Sequence, residues 1–403
     1  GREPYPRYIG EDRGSTYMPE NVDEGLYPWK EGEGDFKSYA AVPQVRETYG
    51  YLDGSYGIMN EHGLAFGEST CASLLTASSL AAGGRAKFDI RELSRIALER
   101  CRTAVCAIDL MGSMAEDGGY FGADTTQGEG GESLQIADPE QAWVFQILAD
   151  DTGASAVWAA QRVPDGQIAV VANQFTIRRL ILNDPENFRY SKNIHDVASR
   201  AGLWNQKVGG YPLDFTATFA MNRGQLSPYA NRRVWRVFTL AAPSQVSSLP
   251  PETSDFADNY PFSVTPERKL TVADLAIMQR DHYEDTAYDM TQGIAAGPYG
   301  DPSRFDPGST EAVYAPDQAV TDDEATSGKY ERAISIYRCA YAWISQTRAA
   351  VKGLDLIWFG QYAPHANQYV PVYVAAQSVP PAFAKGSLLR YDESVSYWVH
   401  ALV

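Results

Sequence analysis

The order in which the hydrophobic period changes along this chain constrains its fold more than any other feature. Between Gly57 and Ser69, two short β-prone runs flank Asn60-Glu61-His62-Gly63, the pattern of a hairpin closed by a tight turn. The period then lengthens: Asp89 is a good N-cap, and Ile90, Leu93, Ile96 and Ala97 follow at helical spacing. A second helix is expected over 103–115, and a Gly-rich loop from Gly118 to Gly131. A meander of three strands is predicted at Trp143 to Leu148, Ala154 to Ala160 and Ile168 to Phe175, with turns at Asp150-Asp151 and Pro164-Asp165-Gly166. Helices are predicted over 193–202, 232–242 and 271–284, and strands near 333–337, 354–359 and 369–376. That succession specifies an α+β chain, with two sheets between helices, and not a Rossmann-type alternation. Gly128 to Gly131 is not set between a strand and a helix, so a phosphate-binding glycine loop is also excluded.

Composition narrows the class of partner. The net charge is −17 over 403 residues, which repels a polyanion and excludes nucleic acid. No apolar run is long enough to span a bilayer, so membrane insertion is not expected. At 44% hydrophobic residues, the chain can bury a large core. Residues 1–50 read as a loop-rich lead-in, and the Pro-rich and acidic stretches at 242–265 and 295–328 as surface insertions. The opening GREPYPRYIGEDRG has no initiator Met and reads as a processed or cut start. Cys71, Cys101, Cys106 and Cys339 match neither a zinc pattern nor a disulfide framework. Cys101 and Cys106 are placed on different faces of one predicted helix, and all four are expected as buried free thiols.

Few residues can carry chemistry. The five histidines are scattered, and His62 in the hairpin turn is expected to cap backbone groups. Gly54-Ser55-Tyr56-Gly57 lacks nucleophile-elbow spacing, and no HExxH or His/carboxylate set supports a metal, so no cofactor is expected. What stands out is amide side chains in apolar strands. Asn173 interrupts Val170-Val171-Ala172-Asn173-Gln174-Phe175, and Asn60 ends Tyr56-Gly57-Ile58-Met59-Asn60. A buried amide must be hydrogen-bonded, either to satisfy a turn or to hold a ligand atom.

Tyr56-Gly57-Ile58-Met59-Asn60-Glu61-His62-Gly63-Leu64-Ala65 resembles the hairpin of the cysteine N-terminal-nucleophile (Ntn) hydrolases, the group of penicillin V acylase and bile-salt hydrolase. Gly67 to Cys71, Asp150 to Ser155, Val171 to Phe175, Asn231 to Arg236, Arg280 to Glu284 and Gly297 to Pro302 are similar to the dipeptidase A-type peptidases among them, in the expected order. The resemblance covers nearly the whole chain and implies one domain over 1–403, a four-layer αββα sandwich of two antiparallel sheets between helices. It implies a cysteine dipeptidase acting on short unblocked peptides, secreted or lysosomal/vacuolar, with a homo-oligomeric assembly expected.

In such enzymes the thiolate of an N-terminal Cys attacks the amide carbonyl while its own α-amine shuttles the proton. Backbone N–H groups and an Asn side chain hold the oxyanion. By motif position, Asn173 resembles that Asn and Thr70 falls near the second oxyanion-hole position. Arg233 resembles the arginine that keeps the nucleophile's surroundings positive, and Asn60 joins the candidate set from the hairpin motif. The sequence departs from the pattern in lacking the nucleophile and the Asp that follows it, so the nucleophile is expected on an N-terminal segment that is absent from this sequence or separate from it. Cys71 is a poor substitute, having no free amine beside it. Two alternatives are an acylase of non-peptide amides and a catalytically inactive structural or assembly protein; the 25 tyrosines suit interfaces in the latter.

Overall fold

The computed structural model describes residues 6–10, 38–123, 129–221, 227–246, 260–293, 296, 332–336, 339–351, 353–384 and 391–402. β1 (Arg7–Gly10) and β2 (Ser38–Val42) form an antiparallel ribbon within the lead-in. The buried Arg7 guanidinium fastens this ribbon to the first helix by donating to Glu92 and Glu99. β3 (Tyr51–Asp53), β4 (Gly57–Asn60) and β5 (Ala65–Cys71) come next, then α1 (Ile90–Arg100) and α2 (Ala104–Gly118). Asp89 caps α1 by accepting from Glu92 N–H, and Thr103 caps α2 by accepting from Cys106 N–H.

β6 (Gly131–Ala137), β7 (Ala142–Ala149), β8 (Ala156–Val163), β9 (Ile168–Ala169) and β10 (Phe188–Tyr190) follow. One sheet takes seven of these strands in the order β10-β8-β7-β6-β5-β4-β3, with every pairing antiparallel. Asp138 makes the β6–β7 turn, accepting from Glu140 and Gln141 N–H, and its other oxygen accepts from Ala104 N–H at the start of α2. Helices α1 and α2 cover one face through Leu93, Ile96, Ile108 and Met111 against Phe66, Leu134, Phe145 and Trp158. Gly112 is required there, because a Cβ would lie 2.3 Å from the Trp158 ring.

The opposite face is covered in two parts. Over its β7–β8 end pack Phe175, Ile177 and Leu180 with α3 (Ile194–Arg200), α4 (Gln206–Gly209) nearby, and α5 (Phe215–Phe219). α6 (Ser227–Ala241), α7 (Pro243–Val246), β11 (Ser263–Val264) and α8 (Val272–Gln279) follow, α8 opening on a Thr271/Asp274 capping box. Over the β3–β5 end lies a second sheet, β12 (Tyr341–Gln346), β13 (Leu356–Gln361) and β14 (Val370–Tyr373), with Ile58, Met59 and Ala65 packed against Ile357. α8 touches β12, and of the last helices, α9 (Pro381–Ala384) and α10 (Ser396–Ala401), the second touches β13. The architecture is mixed α/β, with antiparallel sheets and helices. No helix among the described residues is long and apolar enough to cross a membrane.

Four sequence expectations need correction. Cys101 and Cys106 are not free thiols in one helix. The helix stops at Arg100 and restarts at Ala104, and the two sulfurs meet across that junction in a disulfide, Cα–Cα 5.6 Å. The third meander strand shrinks to Ile168–Ala169 and pairs with β11, because β10 already occupies the place beside β8. β6 was not anticipated, and it replaces that strand in the meander. Residues 333–336 form no strand, since Ser335 N–H donates to the Asp281 carbonyl and its hydroxyl engages His365. The helix expected over 271–284 ends at Gln279, and beyond its cap at Arg280, Tyr283 takes a φ of 66°, which no helix can continue through. The insertion at 295–328 falls outside the described residues except Ala296, as do 247–259 of the other insertion and the Gly297 to Pro302 motif.

Candidate active site

Asn173 lies in the non-strand segment that follows β9. Its φ of 55° falls in the left-handed region, which Asn tolerates better than most side chains. Three contacts hold it: its N–H donates to Ser69 Oγ at 2.9 Å, its Nδ2 donates to the Thr70 carbonyl at 2.9 Å, and its Oδ1 accepts from Arg233 Nη2 at 3.0 Å. The second Nδ2 hydrogen meets no acceptor among the described residues. The amide plane is therefore fixed by both ends, with one N–H left to donate.

The clamp on Asn173 comes from α6. Arg233 Nη2 also donates to the Ala172 carbonyl at 3.3 Å, and Asn231 Oδ1 accepts from Gln174 Nε2 at 2.9 Å, so the helix grips residues 172 to 174 in succession. One turn on, the buried Arg236 donates from Nε and Nη2 to both Asp281 oxygens at 2.7–2.9 Å and to the Glu284 carbonyl. Arg232 stacks over the Tyr288 ring at 3.8 Å. His282 donates to Glu284 from its backbone; burial alone would raise the Glu284 carboxyl, but hydrogen bonds from His282 hold it down at about 2.

Strand alternation separates the two ends of Thr70. Phe66, Glu68 and Thr70 share the face covered by α1 and α2, while Ser69 and Cys71 point the other way. Thr70 meets Asn173 through its carbonyl only; its hydroxyl lies 2.9 Å from Glu68 Oε1 and 3.2 Å from Glu132 Oε1. Glu132 is directly opposite Thr70 on β6 and is 1% exposed. Burial first, then the Glu68 charge and a hydrogen bond to Glu68, push its carboxyl well above the usual range. Cys71 is fully buried, and burial followed by the charges of Glu132 and Glu68 raises its thiol well above normal. It is therefore held as a neutral thiol, the opposite of what a nucleophile needs.

The structure brings Asn173, Thr70 and Arg233 together and sets Asn60 apart. Asn60 closes the turn at the other end of β5, roughly 20 Å along an extended strand from Thr70. Its Nδ2 donates to the Leu98 and Cys101 carbonyls and its Oδ1 accepts from His62 and Leu64 N–H, so both ends of its amide are occupied locally. His62 packs edge-on against Tyr49 beside that turn.

Beside β5 lies a cleft of about 400 Å³, lined by Ala65, Gly67, Gln135, Gln279, Tyr341 and Trp343. Pairing between β4 and β5 ends at Met59–Ala65, and β12 pairs only with β13, so among the described residues both strands present an unpaired edge. Gln279 spans the cleft margin, donating to the Trp343 carbonyl at 3.1 Å.

With this geometry in place, comparison with known proteins finds that the model of peptidase family C69 matches residues 37–403. The chain belongs to peptidase family C69. Relatives of this C69 chain include a probable dipeptidase of Latilactobacillus sakei, 27% identical over 274 residues that cover 67% of this chain and 48% of that protein. A probable dipeptidase A of Streptococcus pyogenes serotype M3 is 24% identical over 355 residues, 83% of this chain and 61% of the relative. Dipeptidase A of Lactobacillus helveticus is 22% identical over 274 residues, 67% and 48% respectively. The C69 chain thus spans about half to three-fifths of the length of these relatives.

Sequence reading missed three residues of this candidate site: Ser69, Asn231 and Glu132. The first two lie inside motifs that had been noticed, at positions that no chemistry singled out. Glu132 had its own signal, a carboxylate entering an apolar strand with no cation two residues to either side.

Proposed function

We propose that this chain supplies the oxyanion-binding half of a cysteine dipeptidase that cleaves short unblocked peptides. One observation carries the proposal: the Asn173 amide, fixed by Thr70 and Arg233, with one N–H free to donate. The dipeptidase names of the C69 relatives support a peptide substrate. The nucleophile is assigned to the thiol of an N-terminal Cys on a separate segment, outside these 403 residues. The unpaired edges of β5 and β12 beside the cleft support a place for that segment.

In the proposed reaction the thiolate sulfur bonds to the scissile carbonyl carbon, and the α-amine of the same Cys takes the thiol proton. The carbonyl π-electrons move onto oxygen, where the free Nδ2–H of Asn173 stabilises them. Collapse re-forms the carbonyl, breaks the C–N bond and passes the α-ammonium proton to the leaving amine. Water then releases the acyl group by the same steps. Arg233 orients Asn173 and adds positive potential.

We also assign the molecule to the αββα Ntn arrangement. Its support is the stacking of α1 and α2 on the seven-stranded sheet, that sheet on β12–β14, and α8 and α10 against the latter. The Cys101–Cys106 disulfide supports an oxidising compartment, in keeping with a secreted or vacuolar enzyme.

The test is hydrolysis of an unblocked dipeptide panel by protein from the native source, with and without thiol alkylation. Thiol-sensitive cleavage that Asn173→Ala reduces supports the assignment. Folded protein that cleaves nothing would sink it in favour of a non-catalytic C69 relative.

A further inference from the structure

Thr70 hydrogen-bonds Asn173 through its carbonyl and meets the half-buried Glu68 and the buried Glu132 through its hydroxyl, and its contacts do not balance as drawn. It has one hydroxyl hydrogen, yet Glu68 Oε1 and Glu132 Oε1 lie 2.9 and 3.2 Å from that oxygen. Thr70 Oγ1 therefore sits between two carboxyl oxygens with a single hydrogen for both, and burial and the Glu68 charge together favour the protonated form of Glu132. Neither forms an ion pair with a described residue. The described titratable and charged groups around them do not supply the missing charge. On the same face these are Tyr56 before β4, Asp89 and Arg91 at the start of α1, and Tyr120 after α2, with Arg91 already paired to Asp89 at 3.1 Å; Cys71 lies on the other face of β5. Glu132 Oε2 and the Tyr120 hydroxyl are buried without a hydrogen-bond partner among the described residues.

We propose that Glu68 and Glu132 form a one-proton carboxyl pair that positions Asn173 through Thr70, a role that rests on the oxyanion assignment above. A single proton satisfies the geometry: the Glu132 carboxyl donates to Thr70 Oγ1, and Thr70 donates in turn to Glu68 Oε1. Glu132 is then a positioning residue, since it reaches the reacting atoms only through Thr70. Its grip on the hydroxyl fixes the peptide plane after Thr70, and the carbonyl of that plane accepts from Asn173 Nδ2 at 2.9 Å. Loss of the proton puts two like charges side by side beneath β5. Their repulsion tilts the Thr70 plane and turns the Asn173 amide away from its working direction.

The experiment follows the Asn173 amide directly in the full chain, with asparagine labelled by 15N and the signals identified by their loss in Asn173→Ala. In wild type the Nδ2 signals should shift with a single midpoint well above the usual carboxylate range. In Glu132→Gln, which keeps the shape and a neutral donor, that transition should disappear. A midpoint in the ordinary carboxylate range, or a transition that survives in Glu132→Gln, overturns the pair. Steady-state cleavage gives the second readout. Glu132→Ala should lower kcat about tenfold to a hundredfold with KM little changed, as expected for a small misplacement of a catalytic group, and Glu132→Gln should recover part of the loss. Equal losses in both variants, or a change in KM alone, count against positioning. If no variant and no wild-type protein cleaves peptides, the dipeptidase assignment fails, while the amide titration still decides the carboxyl pair.

Discussion

The two ends of β5 each hold an asparagine where an apolar run stops, and the two amides have opposite hydrogen-bond accounts. At the turn end, Asn60 is 0% exposed and engaged on both its nitrogen and its oxygen with α1 and with its own turn. At the far end, Asn173 is half-buried, at positive φ, and left with one N–H unengaged among the described residues. Residue type and hydrophobic setting are alike, so neither distinguishes a structural amide from a chemical one. What distinguishes them is whether the local fold uses up the donors.

The sharpest way to break this comparison is to truncate both. Asn173→Ala should lower kcat by about 10²–10³, the usual loss for one oxyanion-hole donor, with little change in unfolding free energy. Asn60→Ala should do the reverse: about 3 kcal/mol of stability lost in urea melts, because two buried carbonyls and two N–H groups lose their partner, with kcat per folded molecule retained. Equal effects of both substitutions on kcat would end the distinction.

The disulfide refines the same contrast, since Cys101 is one of the residues whose carbonyl Asn60 holds. Cys101→Ser with Cys106→Ser should cost about 2 kcal/mol for so short a loop, again read in melts, and should leave peptide cleavage unchanged. The smallest effect is in the pH dependence. A carboxyl raised in the folded state, as Glu132 is, binds its proton more tightly than in the unfolded chain. Its stability contribution is complete below the unfolded carboxyl value near about 4.3 and falls as pH rises toward the folded value. Glu132→Gln should therefore flatten the alkaline decline of Tm. Glu284, held at about 2, has the opposite sign: its contribution is present above the unfolded value and lost as pH falls toward about 2.

How much was legible in the sequence follows from the range of the forces involved. Asp89 acts within three residues, so the cap of α1, the start of α2 near Thr103 and the hairpin at Asn60–Gly63 could be read directly. The Cys101–Cys106 bridge is nearly as local but was hidden, because an unbroken helical period was assumed where two helices meet. Val170 to Phe175 has every mark of a strand, yet the sheet has no vacancy beside β8, and the chain turns away at Asn173. That outcome depends on β10, a segment some fifteen residues later, and no local pattern carries it. In the site, Asn173, Thr70 and Arg233 were found by motif, and their meeting is a matter of geometry. Glu132 escaped because its importance comes from the strand opposite.

Helix α6 is gripped all round: Asn231 and Arg233 hold the segment at 172–174, Arg232 lies on Tyr288, and Arg236 is locked to Asp281. Each residue of a helix turns the next by about 100°. One residue added or removed within its first turn would thus rotate every later side chain out of its socket at once. The helix behaves as a key cut on several sides: it tolerates exchange of single teeth far better than any change of phase, and length variation in this protein should stop at its door.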